Sequence, residues 1–204
     1  MKQLIRHNYV ATVLAAGLIL PAISFAGPEE DLQVGIDAFN RGDLITAMGN
    51  YRKAADAGLA EAQVRLAYIL DYSEDNDEAL GLYRAAADQG NSDGQFGLGE
   101  MYAKGEGTEQ DYEKAVEQFT RAADNDNLRA IWLLFRAYET GELGLQADPA
   151  LAGKWLIRGA EIGDRTAMQE LIAAYEEGTH GLQANPERVR YWKDRLKMEL
   201  PNND

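Results

Sequence analysis

The chain has 204 residues, which is room for one domain or one short repeat array. Hydrophobic residues make up 46% and charged residues 26%, a balance that is typical of a folded protein and excludes a wholly disordered one. The formal net charge of −14 opposes binding to nucleic acid and to anionic lipid. The chain has no cysteine, which excludes disulfides, thiol catalysis and thiolate metal sites.

Residues 1–26 have the layout of a secretory signal peptide. Lys2 and Arg6 precede an uncharged apolar run over residues 9–20, and the small residue Ala26 suits a cleavage site. The alternative is an uncleaved membrane anchor, although the run is shorter than the roughly 20 residues that span a bilayer. We therefore expect a periplasmic or secreted protein without stable membrane insertion after cleavage.

One sequence frame recurs along most of the remaining chain. It begins with an aromatic residue or leucine, continues with small residues and usually ends in a glycine. The copies begin at Tyr51, Tyr83, Phe119 and Leu156, about 32 to 37 residues apart. This spacing is the length of a helix-pair repeat.

A second pattern follows each copy of the first. A small residue is followed by mostly apolar residues at offsets of four, five and eight positions, which all lie on one face of an α-helix. We expect that face to be buried in the first helix of each pair. The copies are Ala62-Leu66-Ala67-Leu70, Gly94-Leu98-Gly99-Tyr102, Ala130-Leu134-Phe135-Tyr138 and Ala167-Leu171-Ile172-Tyr175.

Glycines and capping residues mark the helix boundaries. Turns such as Gly105-Glu106-Gly107 supply the positive φ with which a first helix ends. An Asp or Asn four positions before a small or apolar residue predicts the start of each second helix, because its side chain accepts hydrogen bonds from free backbone N–H groups. These predicted N-caps are Asp43, Asp75, Asp111, Asp148 and Asn185.

The combined pattern of Ala-x-x-x-Leu-Gly-x-x-Tyr, Gly-x-Gly, Asp-x-x-x-Ala-x-x-aromatic and Ala-Ala-x-x-Gly resembles the Sel1-like repeat family, a relative of the tetratricopeptide repeat. Residues 94–126 fit best, and the resemblance covers residues 31–197. Residues 59–90 lack the Gly-x-Gly turn, and the last unit lacks the Ala-Ala-x-x-Gly end. Terminal units are expected to differ because they cap the stack against water.

The resemblance implies an all-α fold, a right-handed α-solenoid of about five helix-turn-helix repeats. We expect the repeat domain over residues 27–200, before a tail over residues 201–204. The predicted units are 31–58, 59–90, 91–126, 127–163 and 164–200. Alanines are expected to let the helices approach, and aromatic rings to fill the volume between layers. These predicted core residues are Ala54, Ala55, Ala86, Ala87, Ala122, Ala123, Ala160, Tyr51, Tyr83, Phe119, Trp155 and Trp192.

The first helix of each pair lines the concave side in related solenoids. Residues outside the buried offsets then offer a strip of aromatic, apolar and charged groups, which suits a peptide or a partner helix. The resemblance implies a non-enzymatic scaffold or adaptor that binds a partner segment on this face. Phe96 and Trp132 also fit the alternative of packing between repeats. The predicted partner-binding residues are Tyr68, Phe96, Glu100, Trp132, Leu133 and Arg136.

Two groups of residues are candidates for catalysis or metal binding. His180 lies in a glycine-flanked turn with no nucleophile assigned to it, which favours a turn residue over a general base. The acidic run over residues 71–78 lacks the glycine and the ligand order of a calcium loop, which favours a solvated turn. We therefore expect no catalytic residue, no metal site and no cofactor.

Alternatives from other functional classes stay open. One is an assembly factor for an envelope polymer or an envelope enzyme complex. Another is a cell-wall-directed hydrolase, a role of cysteine-rich Sel1-like proteins that this cysteine-free chain does not match. The locally basic stretch over residues 186–200 fits a capping helix or a docking patch for an acidic partner. We expect a protein partner and a monomer or weak homo-oligomer.

Overall fold

The computed structural model describes residues 27–198, which form ten α-helices and no strand. Every helix has 13 residues, and consecutive helices pair into five hairpins. The helices are α1 (Pro28–Asn40), α2 (Leu44–Asp56), α3 (Ala60–Tyr72), α4 (Asn76–Asp88), α5 (Ser92–Lys104), α6 (Tyr112–Asp124), α7 (Leu128–Thr140), α8 (Pro149–Glu161), α9 (Arg165–Glu177) and α10 (Pro186–Met198). The all-helical solenoid is confirmed, whereas the predicted signal peptide and tail lie outside the described residues.

The hairpins stack in chain order, and each helix packs against its predecessor and its successor. α3 also contacts α5, so the first helices of the second and third hairpins approach each other. The buried apolar residues form two clusters that meet at α5, one running from Leu32 to Met101 and the other from Phe96 to Trp192. The core therefore extends in one direction, as in a solenoid whose units contact their neighbours.

Alanines and aromatic rings build the core as predicted, since every predicted core residue is at most 5% exposed. Three of the rings lie directly on glycines of the preceding or following first helix: Tyr51 on Gly35, Tyr83 on Gly97 and Phe119 on Gly99. A Cβ atom on Gly35 would lie 2.6 Å from the Tyr51 ring, and one on Gly97 would lie 2.4 Å from the Tyr83 ring. Any side chain at these two positions would displace the ring beneath it.

Most of the predicted helix boundaries are confirmed. Gly105 has a φ of 78° at the end of α5, and Asp111 accepts a 3.0 Å hydrogen bond from the backbone N–H of Lys114 at the start of α6. Asp75 holds the predicted N-cap position of α4, but its side chain accepts no helix hydrogen bond, so that detail of the prediction is wrong. Its backbone ψ of 61° lies outside the β region that N-cap residues favour.

The last helix, α10, closes the stack. Trp192 is buried, Lys193 Nζ lies 2.6 Å from Glu176 Oε1, and Arg195 Nη2 donates a 2.8 Å hydrogen bond to the backbone carbonyl of Glu161. These contacts anchor α10 on the preceding helices through Trp192, Lys193 and Arg195, as in a capping helix. None of the helices in residues 27–198 is long and apolar enough to cross a membrane.

Candidate partner-binding groove

A cavity of about 630 Å³ opens on the first helices of the hairpins, centred on α3 and α5. The rings of Tyr51 and Tyr83 reach it from the second helices α2 and α4, because Gly35 and Gly97 leave room for them. We call this site the α3–α5 cavity. Its lining includes the ionisable side chains of Glu61, Arg65, Tyr68, Asp71, Glu100, Lys104 and Arg129.

Most charges of the α3–α5 cavity are paired. Ion pairs join Arg65 to Glu61 (2.7 Å), Arg129 to Glu100 (3.4 Å) and Lys104 to Glu106 (3.1 Å). The guanidinium of Arg129 also stacks over the Phe96 ring, with 4.0 Å between its central carbon and the ring centroid. The three cations of the lining are therefore already engaged by neighbouring carboxylates.

Two polar groups of the α3–α5 cavity have no partner. The Tyr51 side chain is 1% exposed, and its hydroxyl forms no hydrogen bond of normal geometry within residues 27–198, with the Arg65 guanidinium as its polar neighbour. The Asp71 carboxylate forms neither an ion pair nor a hydrogen bond within the same described range. A buried hydroxyl whose proton has no acceptor costs about 1 to 3 kcal/mol, whereas the partly exposed Asp71 carboxylate is open to water or to a cation.

Burial shifts the ionisation of the cavity's carboxylates and tyrosines. Burial raises the pKa of Asp71 above its ordinary value, and Lys104 only partly opposes this effect. Burial also raises the pKa of Glu100, against the opposing charge of Arg129. The pKa of the Tyr83 hydroxyl is raised by burial first and then by the negative charges of Asp71 and Glu100. Each of these groups is thus less well solvated than in water.

A second, smaller cavity of about 430 Å³ lies on α7. We call it the α7 pocket, and it is lined by Leu128, Arg129, Trp132, Leu133 and Arg136. The half-buried Trp132 ring packs edge-on against Phe135, with 5.5 Å between the centroids. Arg129 lines both cavities, so an ionic section and an apolar section adjoin on one side of the stack.

Five of the six predicted contact residues line one of the two cavities, and the sixth does not. Tyr68, which is 59% exposed, and Glu100 line the α3–α5 cavity, whereas Trp132, Leu133 and Arg136 line the α7 pocket. Phe96 is 4% exposed and packs on Phe119, so it presents no face to a partner. The prediction that Phe96 contacts a partner is therefore wrong, because its ring lies between hairpins beneath Arg129.

Several groove residues were not found from the sequence. Arg129 precedes the buried face of α7 and joins both cavities, but no pattern singled it out. Asp71 was assigned to a solvated acidic turn, although it is the last but one residue of α3 and only partly exposed. Tyr51 was predicted as core, and no sequence feature indicates that its hydroxyl lacks a partner.

His180 forms a different polar cluster between α7 and α9. Its Nδ1 lies 2.8 Å from Glu139 Oε1, its Nε2 lies 3.2 Å from Glu170 Oε1, and its ring packs edge-on against Phe135. This arrangement ties a turn to two helices and places no hydroxyl or thiol nucleophile on the imidazole. In the described part of the chain, no group of three or more His, Cys, Asp or Glu residues is arranged to hold a metal ion.

Stacked helical hairpins with a groove on their first helices define an α-solenoid of the tetratricopeptide-like class, typically a non-enzymatic interaction scaffold. The sequence model of the Sel1 repeat matches residues 34–59, 60–91, 92–127 and 128–164, more than half of the chain. The chain therefore belongs to the Sel1 repeat family, whose members generally act as scaffolds for protein–protein interaction. The fifth hairpin, α9 and α10, lies beyond the matched repeats.

Solved structures support the same fold. A Sel1 repeat protein from Oxalobacter formigenes is 28% identical with a TM-score of 0.68, over 86% of this chain and 74% of that one. A protective antigen of uropathogenic Escherichia coli strains with an SLR fold is 26% identical with a TM-score of 0.61, over 86% of this chain but only 39% of that one. A sel1 repeat protein from Klebsiella pneumoniae, 18% identical with a TM-score of 0.55 over 84% and 86%, shares the fold. No curated protein matches the chain.

Proposed function

We propose that this protein is a non-enzymatic scaffold that binds a segment of a partner protein along the groove formed by the α3–α5 cavity and the α7 pocket. The observation that carries the proposal is their adjacency, because Arg129 lines both sites. An apolar section with an aromatic residue and a section of oriented charges are the two components of a peptide-binding surface. The five-hairpin stack holds them in place, so binding needs little rearrangement.

In this proposal the protein acts in the periplasm or outside the cell, with residues 1–26 as its export sequence. The support is the order of a basic start, an uncharged apolar run and small residues before Gly27. The partner is then a protein of the same compartment. Mass determination of the protein purified from its own cells tests this part, and a chain that retains residues 1–26 contradicts it.

Affinity capture tests the groove. The wild-type protein, immobilised and exposed to extract of its own cell envelope, retains a partner that a variant with Tyr68→Ala, Leu133→Ala and Arg136→Ala does not retain. The matched control replaces the same three residue types on second helices, with Arg84→Ala on α4, Leu151→Ala on α8 and Tyr191→Ala on α10. Equal capture by both variants, or equal loss in both, argues against the groove.

A further inference from the structure

Two carboxylates of the α3–α5 cavity have no ion-pair partner among the described residues, Asp71 and Asp93, and Asp93 accepts a 2.8 Å hydrogen bond from the Asn127 amide. Arg65, Lys104 and Arg129 each have a carboxylate of their own within 3.4 Å. Asp71 lines the same cavity and, among the described residues, forms no ion pair or hydrogen bond. Lys104 is the cation whose charge acts on Asp71, and its ammonium is already engaged by Glu106 at 3.1 Å. Asp71 is thus the carboxylate of this cavity that neither a cation nor a hydrogen-bond donor of the described residues engages directly.

Aromatic rings share the cavity with this carboxylate. The exposed Tyr68 ring and the Tyr83 ring both line it, and the negative charge of Asp71 acts on the Tyr83 hydroxyl. The negative face of a tyrosine ring attracts an ammonium or a guanidinium. A carboxylate beside tyrosine rings therefore suits a cation that ends a long apolar stem, which lysine and arginine side chains provide.

The Tyr51 hydroxyl gives independent evidence for a ligand. It is buried, it lines the same cavity, and the Arg65 guanidinium beside it can only donate, so the hydroxyl proton has no acceptor within residues 27–198. Burial raises the pKa of this hydroxyl against the opposing effect of Arg65, so the group stays protonated and able to donate. The carbonyl groups of a peptide backbone are acceptors of the kind that this hydroxyl lacks.

We propose that the α3–α5 cavity accepts a lysine or arginine side chain of the bound segment, with its cation on Asp71 beside Tyr68 and a nearby carbonyl of the same segment on the Tyr51 hydroxyl. This inference rests on the partner-binding role proposed above and names the chemistry of the partner. The acidic body, with a formal net charge of −14, attracts a basic segment over a longer range. The α7 pocket takes an apolar side chain of the same segment.

A displayed library of short random peptides, selected on the purified protein, tests the inference. Selected peptides are expected to carry a lysine or arginine at one recurring position. Replacement of that residue by norleucine, which keeps the stem and removes the charge, lowers affinity for the wild-type protein about tenfold. Against the Asp71→Asn variant the same replacement changes affinity less than about twofold, because the interaction is already lost.

The matched control is Asp88→Asn, which removes one exposed carboxylate from the end of α4, outside the cavity. If the basic residue binds Asp71, this variant keeps the full tenfold effect of norleucine. A general attraction between a basic peptide and an acidic protein weakens equally in both variants, and that result overturns the inference. Reversal of the pair, with Asp71→Lys in the protein and glutamate in the peptide, is expected to restore binding.

The two proposals fail in different ways. If the selected peptides have no recurring basic residue, the cation site is overturned. If the same peptides lose binding to the Tyr68→Ala variant, the groove proposal is still supported. Peptides whose binding is unchanged by both Tyr68→Ala and Asp71→Asn overturn both proposals. The Tyr51→Phe variant gives a second readout, since it removes only the hydroxyl and is expected to weaken the selected peptides several-fold.

Discussion

The first three hairpins and the last two follow one helical pattern but fill the space along their first helices differently. In α5 the position three residues after the leading small residue is Gly97, and the Tyr83 ring lies against it. In α7 and α9 the same position holds Leu133 and Glu170. Gly97 therefore opens the cavity on the α5 side, whereas α3, which borders the same cavity, carries Arg65 at this position.

The polar contacts follow the same division. In the second and third hairpins, Gln89 donates a 2.8 Å hydrogen bond to Gln63 and Asn125 donates a 3.0 Å hydrogen bond to Gln95. The fourth hairpin has Ile131 at the position of these two glutamines, packed in the apolar core. The early hairpins combine these polar contacts with an ionic cavity, whereas the fourth hairpin has an apolar core at this position and an apolar pocket on its surface. The two sections of the groove thus differ in their chemistry along the stack.

The largest expected effect contrasts two buried rings of equal exposure. Trp155 in α8 and Tyr83 in α4 are each 5% exposed. Trp155→Ala is expected to lower the free energy of unfolding by about 4 kcal/mol, as large deletions in a closed core do. Tyr83→Ala is expected to cost about 1 to 2 kcal/mol less, because the ring already borders a cavity. Urea unfolding measures both, and equal losses would contradict the division.

Two glycine substitutions sharpen the contrast. A Cβ atom on Gly153 would lie 2.3 Å from the backbone oxygen of His180, so Gly153→Ala forces two backbone segments apart and costs about 2 kcal/mol. Gly97→Ala meets the Tyr83 ring, which has the cavity to move into, and the higher helix propensity of alanine offsets part of the strain. We expect little net change there. Thermal unfolding of the two variants measures both effects. A larger fall in the unfolding midpoint for Gly97→Ala than for Gly153→Ala would refute the argument.

The His180 cluster predicts a moderate effect in the late hairpins. Leu143 has the matching place in the preceding turn with a φ of 56°, close to the 49° of His180, so the backbone accepts either residue. His180→Leu removes the contacts with Glu139 and Glu170 and is expected to lower the free energy of unfolding by about 1 kcal/mol. Leu143→Ala, which changes the turn that lacks these contacts, is the comparison. An unchanged unfolding midpoint for His180→Leu would show that the cluster adds nothing.

In the early hairpins, Tyr51→Phe is expected to raise the free energy of unfolding rather than lower it. The change removes a buried hydroxyl whose proton has no acceptor among the described residues and keeps the ring against Gly35. We expect the free energy of unfolding to rise by about 1 kcal/mol while peptide binding weakens. Tyr83→Phe is the matched control on the neighbouring tyrosine. A fall in stability for Tyr51→Phe would mean that the hydroxyl is satisfied in solution.

The smallest expected effect is the pH dependence at Asp71. Because its pKa is raised in the folded protein, the folded state holds this proton more tightly than the unfolded chain does. The stability that it contributes is present below the ordinary pKa of 3.8 and is lost as pH rises through the higher folded value. Lys104, Glu106 and Glu100 act on the same region and are present in both wild type and variant, so the comparison isolates Asp71. Asp71→Asn is therefore slightly more stable than wild type at neutral pH and not at acidic pH, which urea unfolding at both values measures.

The sequence predicts the helices and the core because both depend on spacing along one chain. Ala62, Leu66, Ala67 and Leu70 recur at intervals that place them on one helical face, and all four are buried. The α3–α5 cavity depends on how neighbouring hairpins stack. Tyr51 and Tyr83 were placed in the core correctly, but the passage of their rings over Gly35 and Gly97 is a relation between separate helices. That relation leaves no periodic trace in the sequence.

The exposed positions show the same limit. Tyr68 and Arg136 project from the first helices as their offsets predict, because a helical offset fixes direction. Phe96 and Trp132 share one offset, yet the first is buried under Arg129 and the second is half exposed. The difference comes from the residue that covers each ring, which belongs to the next hairpin in the case of Phe96. Offset alone cannot separate them.

The uniform length of the ten helices sets the footprint of a partner. A helix of 13 residues rises about 20 Å, which is the thickness of the stack measured along the helix axes. An extended chain covers this thickness with about six residues, at roughly 3.3 Å per residue. A strand lying parallel to α3 therefore meets the stack over one short linear motif. A longer motif has to turn and continue from one hairpin to the next. Each further repeat then adds about 10 Å to the length of the contact surface.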